Sequence, residues 1–468
     1  MSRLPVITIV GRPNVGKSTL FNALTRSRDA LVADMPGVTR DRIYGRAELG
    51  EESVVVIDTG GLTPDLDPDP VAALSARQVQ QALDEADGVL FVTDARDGLN
   101  AHDQEIGSKL RRLGKPVVVA VNKTDGLDAA QAVADASELG LGDILAVSAE
   151  HRRGLEALSG ALLENLPRAE SDETEDDDFD GIRLALVGRP NTGKSTLLNR
   201  LVGEERSLAV DLPGTTRDPV KADIQRDGHA YRLVDTAGIR RRSRVHEAVE
   251  KFSVIKALQA IEKADFVVLL LDGREGVTDQ DAGLAGHILE AGRPLVIAVN
   301  KWDGLDDYHR KQVREQLHKR LGFADFTRVV TISALHGTGL GELFDAIEEA
   351  WESARRELTT SALSRCLEQA VEAHPPPSSQ RFAPKLRFAH SGGIQPTRIV
   401  IHGNRTRHVP ETYRRYLVNR FRKAFNLRGI PIRLIFRDSE NPYAGKRNTL
   451  NKRQLEKRKR LRKHVRSK

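Results

Sequence analysis

Cysteine and long apolar segments are nearly absent from this sequence, and each absence excludes a class of protein. Cys366 is the one cysteine in 468 residues, so a disulfide framework is impossible and a reducing compartment, the cytoplasm, is expected. We expect its thiol to be buried rather than catalytic. The longest apolar run, at residues 266–271, is far shorter than a membrane span. We therefore expect no contact with a membrane.

Aromatic residues are also scarce, at 4%, but the overall composition is that of an ordinary globular chain. Apolar residues make up 39% and charged residues 29%, and 468 residues are enough for three domains that each bury a core. The net charge of +6 hides an asymmetry. Residues 1–350 carry 43 Lys and Arg against 58 Asp and Glu, whereas residues 351–468 carry 29 against 8. The C-terminal part is therefore expected to bind a polyanion.

Two stretches of the sequence repeat each other. GRPNVGKS at residues 11–18 matches GRPNTGKS at residues 188–195, and Asp58 of DTGG matches Asp235 of DTAG at the same offset of 177 residues. A repeat of this length indicates two homologous domains. The predicted organisation is two homologous domains at 1–167 and 181–352, an acidic linker at 168–180, a third domain at 353–443 and a basic tail at 444–468.

Each half alternates short runs rich in Val, Ile and Leu with helical patterns. Near-continuous apolar strands separated by helices predict a parallel sheet that is buried on both faces. The predicted fold class is therefore α/β, with two P-loop domains on doubly wound, mostly parallel sheets and a small α/β domain after them. Ligands of such sheets bind at the carboxyl ends of the strands, and the repeated motifs all follow predicted strands.

The phosphate-binding pattern G-x-x-x-x-G-K-S stands between a strand and a helix in both halves. The backbone N–H groups of such a loop and the N-terminus of the helix can cradle phosphates. Lys17 and Lys194 would reach the terminal phosphates, and the hydroxyls of Ser18 and Ser195 would coordinate Mg²⁺. A lone match can be an accidental turn, but two matches in identical contexts make that reading negligible.

The motif N-K-x-D identifies the base. It follows an apolar strand at residues 122–125 and again at residues 300–303. An Asp carboxylate can accept from both the ring N–H and the exocyclic amine of guanine, a pair that adenine lacks. The later sequences SAE at 148–150 and SAL at 333–335 would meet the guanine carbonyl oxygen. Alone, N-K-x-D can also be a helix start after a strand, but together with the loop and D-x-x-G it predicts binding of GTP and GDP.

GRPNxGKS followed by PGVTRD or PGTTRD resembles the Era and TrmE-like branch of the translation-factor class of Ras-like GTPases. Two such halves and a basic C-terminal domain resemble the bacterial tandem-GTPase family Der, also called EngA, over essentially the whole chain. The resemblance implies hydrolysis of GTP to GDP and phosphate with Mg²⁺, a KH-like third domain, and a role in assembly of the large 50S ribosomal subunit on rRNA. It also implies switch threonines at Thr39 and Thr216, metal-holding aspartates at Asp58 and Asp235, and γ-phosphate-sensing backbone at Gly60 and Gly238.

The water-orienting glutamine of Ras-like enzymes, which follows D-x-x-G, is replaced here by Gly61 and Ile239. Era and TrmE-like relatives use a potassium ion near the β- and γ-phosphates, held partly by an asparagine of the phosphate loop. Asn14 and Asn191 stand at that position, so the resemblance implies K⁺-dependent hydrolysis. The alternative is that each asparagine braces its loop through a hydrogen bond from its side chain to the backbone.

The segment after DTAG in the second half is the family's second switch, and it carries Arg240, Arg241, Arg242 and Arg244. Such a cluster could dock an RNA phosphate or the C-terminal domain in one nucleotide state, or it could be a solvated run of charges. The matching stretch of the first half is acidic and rich in proline. The two switches are therefore expected to contact different surfaces.

The third domain is predicted to be a small α/β unit, with helices at 353–372 and 411–427 and strands at 385–390, 397–403 and 431–437. Its second helix carries a stripe at every fourth residue that is typical of a core: Tyr413, Leu417, Phe421 and Phe425. KH modules clamp RNA with a G-x-x-G loop, which this segment lacks, so its RNA contacts are expected on another face. The tail, with twelve Lys or Arg after Pro442, is expected to condense on RNA.

The sequence thus predicts a complete set of site residues. The catalytic residues are Lys17, Thr39, Gly60, Lys194, Thr216 and Gly238. The nucleotide-binding residues are Gly11, Arg12, Pro13, Asn14, Val15, Gly16, Lys17, Ser18, Thr19, Asp58, Asn122, Lys123, Asp125, Ser148 and Ala149 in the first half, and Gly188, Arg189, Pro190, Asn191, Thr192, Gly193, Lys194, Ser195, Thr196, Asp235, Asn300, Lys301, Asp303, Ser333 and Ala334 in the second. The Mg²⁺ ligands are Ser18, Thr39, Asp58, Ser195, Thr216 and Asp235, and the K⁺ ligands are Asn14 and Asn191.

The expected partners are the 50S ribosomal subunit and rRNA, with no DNA, and the protein is expected to be a monomer. Two alternatives stay open. The first is a GTP-regulated RNA-binding scaffold in which one GTPase domain is mainly regulatory. The second is a tRNA-modifying enzyme of the TrmE type, which would need a folate or redox-active site and a terminal cysteine that this sequence does not supply.

Overall fold

The computed structural model describes residues 4–25, 43–50, 52–59, 79–80, 82–167, 179–204, 222–226, 228–234, 254–377, 383–394 and 396–438. Several predictions fall outside these residues: those for Thr39, Gly60, Thr216, Asp235, Gly238, the arginines at 240–244 and the basic tail. Within the described ranges, no helix is long and apolar enough to cross a membrane.

The first half is built on a six-stranded sheet with the strand order β2-β3-β1-β4-β5-β6. The pair β2 and β3 is antiparallel, and every other neighbouring pair is parallel. The strands are β1 (Val6–Val10), β2 (Ile43–Leu49), β3 (Glu52–Asp58), β4 (Gly88–Asp94), β5 (Val117–Asn122) and β6 (Ile144–Ala146). The helices are α1 (Lys17–Leu24), α2 (Ala101–Leu113), α3 (Ala129–Ala136) and α4 (Leu155–Asn165). Strands β1, β4 and β5 are buried along their whole length, as expected of parallel strands covered on both faces.

The second half has the same architecture, with the strand order β12-β11-β10-β7-β9-β8 and one antiparallel pair, β8 with β9. Its strands are β7 (Ile182–Val187), β8 (Ala222–Arg226), β9 (His229–Leu233), β10 (Phe266–Asp272), β11 (Leu295–Asn300) and β12 (Val329–Thr331). Its helices are α5 (Lys194–Glu204), α6 (Val254–Lys263), α7 (Asp279–Glu290), α8 (Asp307–Arg320) and α9 (Leu340–Arg355). Both sheets therefore share one topology, and the predicted α/β fold in two repeated halves is confirmed.

Both halves belong to one compact unit, Met1–Arg355 with Leu427–Pro431, and they touch each other within it. Arg46 on β2 forms an ion pair with Glu262 on α6. The other carboxylate oxygen of Glu262 lies 3.6 Å from Nη2 of Arg293. Burial lowers the pKa of Arg293, although nearby Glu262 opposes that shift. One carboxylate thus serves two arginines at this contact.

The second compact unit contains Arg356–Asn426 with Ile432–Lys468. Its described part consists of α10 (Thr360–Ala373), β13 (Lys385–Gly393), β14 (Thr397–Asn404), α11 (Glu411–Ala424) and β15 (Ile432–Asp438). Strand β14 is central, antiparallel to β13 and parallel to β15. The predicted order helix, strand, strand, helix, strand is therefore confirmed, within a few residues at most boundaries.

One helix boundary in this unit was predicted wrongly. The sequence pattern places a helix at residues 353–372, but α9 ends at Arg355 and α10 begins at Thr360. The reason is a capping residue: the hydroxyl of Thr359 accepts a hydrogen bond from the backbone N–H of Ala362, which starts a new helix there. The predicted core stripe is confirmed for Tyr413, Leu417 and Phe421, which are buried, whereas Phe425 is half-buried. Cys366 is buried as expected, and burial raises the pKa of its thiol.

Candidate functional site

The two phosphate loops follow β1 and β7 and have the same unusual backbone path. Asn14 and Asn191 adopt φ angles of 65° and 61°, and Gly16 and Gly193 adopt 96° and 95°. This left-handed region is open to glycine and, among other residues, is tolerated best by asparagine and aspartate. The backbone of the loop therefore favours the residue types found at both positions, whatever else these residues do.

The second glycine of each loop also makes room for a side chain from another motif. A Cβ atom on Gly16 would lie 2.3 Å from Nδ2 of Asn122, and one on Gly193 would lie 2.2 Å from Nδ2 of Asn300. Real Cβ atoms do not approach that closely. Any larger residue at either glycine would therefore push the N-K-x-D asparagine away from the phosphate loop.

The N-K-x-D asparagines join the phosphate loop to the S-A loop. Nδ2 of Asn122 donates to the Val15 carbonyl at 2.9 Å, and Oδ1 of Asn122 accepts from the Ala149 N–H at 3.0 Å. In the second half, Nδ2 and Oδ1 of Asn300 make the same two bonds with Thr192 and Ala334, both at 2.8 Å. Each amide uses both of its ends in a buried position, so the three motifs form one rigid unit.

The loop lysines are held by backbone carbonyls. Nζ of Lys17 donates to the carbonyls of Gly11 and Arg12, both at 2.7 Å, and Nζ of Lys194 donates to that of Gly188 at 2.9 Å. Lys17 is 5% exposed. Burial lowers the pKa of Lys17, and the negative charge of Asp58 opposes that shift. An ammonium that is largely buried and donates to neutral carbonyls is a suitable partner for an incoming anion.

The N-K-x-D lysines brace the opposite side of the loop. Nζ of Lys123 donates to the Asn14 carbonyl and Nζ of Lys301 to the Asn191 carbonyl, both at 2.7 Å. Each ammonium is also paired with a buried aspartate at the end of the neighbouring strand: Asp94 at 2.6 Å and Asp272 at 2.5 Å. Burial alone would raise the pKa of Asp94, but its bonds with Lys123 and with backbone N–H groups lower it.

The N-K-x-D aspartates are anchored by the serines of the S-A loops. Oγ of Ser148 donates to Asp125 at 2.9 Å, and Arg96 forms an ion pair with the other oxygen. The hydrogen bond from Ser148 lowers the pKa of Asp125, and the bond from Ser333 lowers the pKa of Asp303. Both carboxylates are therefore ionised at neutral pH.

Sequence reasoning missed four aspartates that support these loops. Asp94 and Asp272 pair with the N-K-x-D lysines, as described above. The other two, Asp103 and Asp281, form ion pairs with the loop arginines: Nε of Arg12 lies 3.2 Å from Asp103, and Nε of Arg189 lies 2.9 Å from Asp281.

A sequence signal for the second pair existed. Asn100 and Thr278 each cap a helix, α2 and α7, in a box closed by the aspartate three residues later. The box recurs in both halves at an offset of 178 residues, the offset at which N-K-x-D also repeats.

Three of the six predicted Mg²⁺ ligands lie among the described residues. Ser18 is exposed in the first turn of α1, Ser195 is half-buried in the first turn of α5, and Asp58 is buried at the end of β3. Gly16 precedes α1 without a side-chain cap among the described contacts, so the first N–H groups of that helix are available to an anion. Hydroxyl and carboxylate oxygens are the hard ligands that Mg²⁺ prefers, so the residues present fit that ion.

Comparison with known proteins finds similarity over the whole chain. A family profile described as 50S ribosome-binding GTPase matches residues 6–123 and again 183–301. A second profile, described as the C-terminal KH-domain-like part of EngA bacterial GTPase enzymes, matches residues 357–437. GTPase Der of Thioalkalivibrio sulfidiphilus is 54% identical over 465 residues, which are 99% of this chain and 100% of that protein. GTPase Der of Shigella flexneri is 53% identical and covers 99% of both chains.

Proposed function

This chain belongs to the GTPase Der family, and on that premise we propose that it couples GTP hydrolysis to assembly of the large ribosomal subunit. The chain is a GTPase that binds GTP and GDP. Two observations support a ribosomal partner. The profile that matches both halves describes 50S ribosome-binding GTPases, and residues 351–468 carry 29 Lys and Arg against 8 Asp and Glu. A surface of this charge attracts the phosphates of rRNA. We also propose that the protein acts in the cytoplasm as a monomer.

Guanine would be recognised by Asp125 in the first half and by Asp303 in the second. Both carboxylates are ionised, because the serines Ser148 and Ser333 stabilise their charged form. An ionised carboxylate accepts from the two adjacent donors of guanine and offers nothing to adenine's acceptor at the ring nitrogen. The N-K-x-D asparagine joins the phosphate loop to the S-A loop, and it therefore keeps the base-binding aspartate at a constant distance from the phosphate loop.

The phosphates would lie against the loop lysines and the N-termini of α1 and α5. The ammonium groups of Lys17 and Lys194 would donate to the β- and γ-phosphate oxygens in place of the loop carbonyls. Negative charge grows on these oxygens during the reaction. Mg²⁺, when bound, supplies a Lewis acid that neutralises the same oxygens. Ser18 with Asp58, and Ser195 with Asp235, would hold that ion, and Thr39 and Thr216 would complete its shell. Gly60 and Gly238 would sense the γ-phosphate through their backbone N–H groups.

The observation that carries the GTPase mechanism is the identical connection of three motifs in both halves through a buried asparagine. The observation that carries the ribosomal role is the match of both halves to the profile described as 50S ribosome-binding GTPase. Depletion of the protein from its cell should therefore leave incomplete large subunits and fewer complete ribosomes. Sucrose-gradient sedimentation of cell extracts, with and without a wild-type copy supplied from a plasmid, measures this effect. Unchanged subunit profiles after depletion would contradict the assembly role and leave the GTPase activity untouched.

Potassium dependence is a further part of the proposal, and it concerns the exposed loop asparagines Asn14 and Asn191. We expect GTP turnover to be at least about tenfold faster in KCl than in NaCl, because a cation near the β- and γ-phosphates stabilises the charge that develops there. Asn191→Asp keeps a side-chain oxygen and should retain part of the stimulation in the second half. Single-turnover GTP hydrolysis in the two salts measures it.

The left-handed backbone of Asn191 makes Asn191→Gly the informative control. Glycine accepts that φ without strain, so the left-handed backbone is kept while the side-chain oxygen is removed. If Asn191 only braces its loop, Asn191→Gly should keep the full response to KCl. If Asn191 binds the ion, this variant should lose the second half's response while still binding GDP. Equal wild-type rates in both salts would rule out any role of the ion.

A further inference from the structure

The three-stranded sheet of the C-terminal unit has two faces of different chemistry. Ala389, Ile399 and Ile401 are fully buried, and strand alternation places their neighbours on the opposite face. Pairing in register brings the members of that opposite face together across the sheet. We call it the open sheet face, and it consists of Phe388, His390, Arg398, Val400, His402, Arg433, Ile435 and Arg437. Of these residues Phe388, Arg433 and Arg437 are exposed, whereas Val400 at its centre is buried.

Two aromatic rings, those of Phe388 and His402, form a stack on the open sheet face, and the ring of His390 lies beside it. The ring of Phe388 lies parallel to that of His402, with 4.5 Å between centroids and 5° between planes. The ring of His390 lies 5.2 Å from that of His402 at 27°. Phe388 belongs to the edge strand β13 and is 43% exposed. Because His402 covers one face of Phe388, the exposed part of the Phe388 ring offers an apolar surface on which another flat ring could stack.

Hydrogen bonds hold this stack rigid. Nδ1 of His390 lies 2.9 Å from the Ser391 carbonyl, so it must donate to that acceptor. In the neutral ring, Nε2 of His390 is then an acceptor, and the Nε2–H of His402, 3.1 Å away, donates to it. Burial, His390 and Arg437 lower the pKa of His402, so its ring is neutral at neutral pH. The two histidines therefore act as a fixed aromatic pair that orients Phe388.

The charge around the stack is positive. Arg433 and Arg437 are exposed on β15, and Arg398 is half-buried on β14. Nε of Arg398 has no hydrogen-bond partner among the described residues. The guanidinium lies beside Gly393: a Cβ atom added to that glycine would be 3.5 to 3.8 Å from it. None of the eight residues of the open sheet face is acidic. A rigid aromatic stack between arginines matches single-stranded nucleic acid, whose bases stack while its phosphates pair with cations.

We propose that the open sheet face binds single-stranded RNA, with an unpaired base stacking on Phe388 and neighbouring phosphates bound by Arg398, Arg433 and Arg437. This inference rests on the proposed ribosomal function for the choice of RNA, and it goes beyond that function by assigning the surface. It also accounts for a domain that resembles KH modules but has no G-x-x-G loop. The sheet replaces the loop as the place where RNA is held.

The test measures binding of a fluorescein-labelled oligouridine 12-mer to the full-length protein in the presence of GDP. Binding is detected by fluorescence anisotropy in 300 mM KCl, because high salt weakens the electrostatic contribution of the basic tail. Phe388→Leu keeps apolar bulk but removes the aromatic ring, and it should weaken binding about five- to tenfold. Phe388→Tyr keeps the ring and should bind as the wild type does. Ile394→Ala is the matched control, because Ile394 is an exposed apolar residue of the same domain, 50% exposed.

A direct readout of stacking comes from Phe388→Trp, whose fluorescence should be quenched when the oligonucleotide is added. The quenching must exceed that of the wild type, which has two tryptophans of its own. Thermal unfolding of each variant checks that it is folded. Wild-type affinity in Phe388→Leu together with no added quenching in Phe388→Trp would overturn the proposal. That result would leave the assembly role standing, since subunit sedimentation after depletion tests the latter separately.

Discussion

Lys194→Ala is expected to lower GTP hydrolysis by the second half about 100- to 1,000-fold, the usual effect of removing one fixed donor from developing negative charge. In this structure Nζ of Lys194 donates to the Gly188 carbonyl at 2.9 Å. The substitution removes both this brace and the cation that would meet the phosphates. Lys17→Ala should have the same effect in the first half, because its ammonium is held in the same way. Single-turnover hydrolysis with limiting GTP measures the activity that remains.

Comparison of the two lysine variants also separates an enzyme with two working halves from a scaffold. If both halves hydrolyse GTP, each single variant keeps the activity of the other half, and the double variant loses nearly all of it. If Lys194→Ala alone removes nearly all turnover while GDP still binds to two sites, the first half is mainly regulatory. Lys319→Ala, an exposed lysine on α8, serves as the control and should hydrolyse GTP normally. Normal hydrolysis by the double variant would show that the loops are not catalytic.

Asp303→Asn should weaken guanine nucleotide binding to the second half about 100-fold or more, since it removes a charged acceptor from two hydrogen bonds worth roughly 1.5–3 kcal/mol each. The hydrogen bond from Ser333 lowers the pKa of the Asp303 carboxyl, which keeps it ionised and able to accept both bonds. Xanthine has a carbonyl in place of guanine's exocyclic amine, and an amide N–H can donate to that carbonyl. The variant should therefore gain affinity for XDP.

Titration calorimetry distinguishes the two sites by stoichiometry. The wild type should bind two GDP, whereas Asp303→Asn should bind one GDP and one XDP with high affinity. Asp307→Asn is the matched control, because Asp307 is a fully exposed aspartate at the start of α8 and makes the same change of charge nearby. Two high-affinity GDP sites in Asp303→Asn would show that this carboxylate does not read the base.

The location of the nucleotide motifs could be predicted because their signals are local. A buried strand, a glycine-rich turn and a helix start follow one another within twenty residues, and the choice of guanine depends on the chemistry of one carboxylate. The left-handed φ of Asn14 and Asn191 was not predicted, although asparagine is among the few residues suited to it. The family resemblance implied an ion ligand and left open a role in bracing the loop, whereas the structure shows a backbone conformation that favours asparagine at this position.

Contacts between distant segments could not be predicted in this way. The pairs Arg12 with Asp103 and Arg189 with Asp281 join residues 91 and 92 positions apart. The N-K-x-D asparagine reaches back 107 residues in the first half to bond the Val15 carbonyl. Such partners become neighbours only after parallel strands place their carboxyl ends at one edge of the sheet.

The amino-acid sequence by itself determined that this protein is a tandem GTPase with a basic C-terminal part, because motif, periodicity and charge are properties of short segments. The tertiary structure alone decided which side chains share a surface. The cluster of Phe388, His390 and His402 depends on the antiparallel register of β13 with β14 and on a register shift between Leu386 and Phe388. A shift of one residue would turn each of these rings to the other face of the sheet, and no local pattern in the sequence specifies that register.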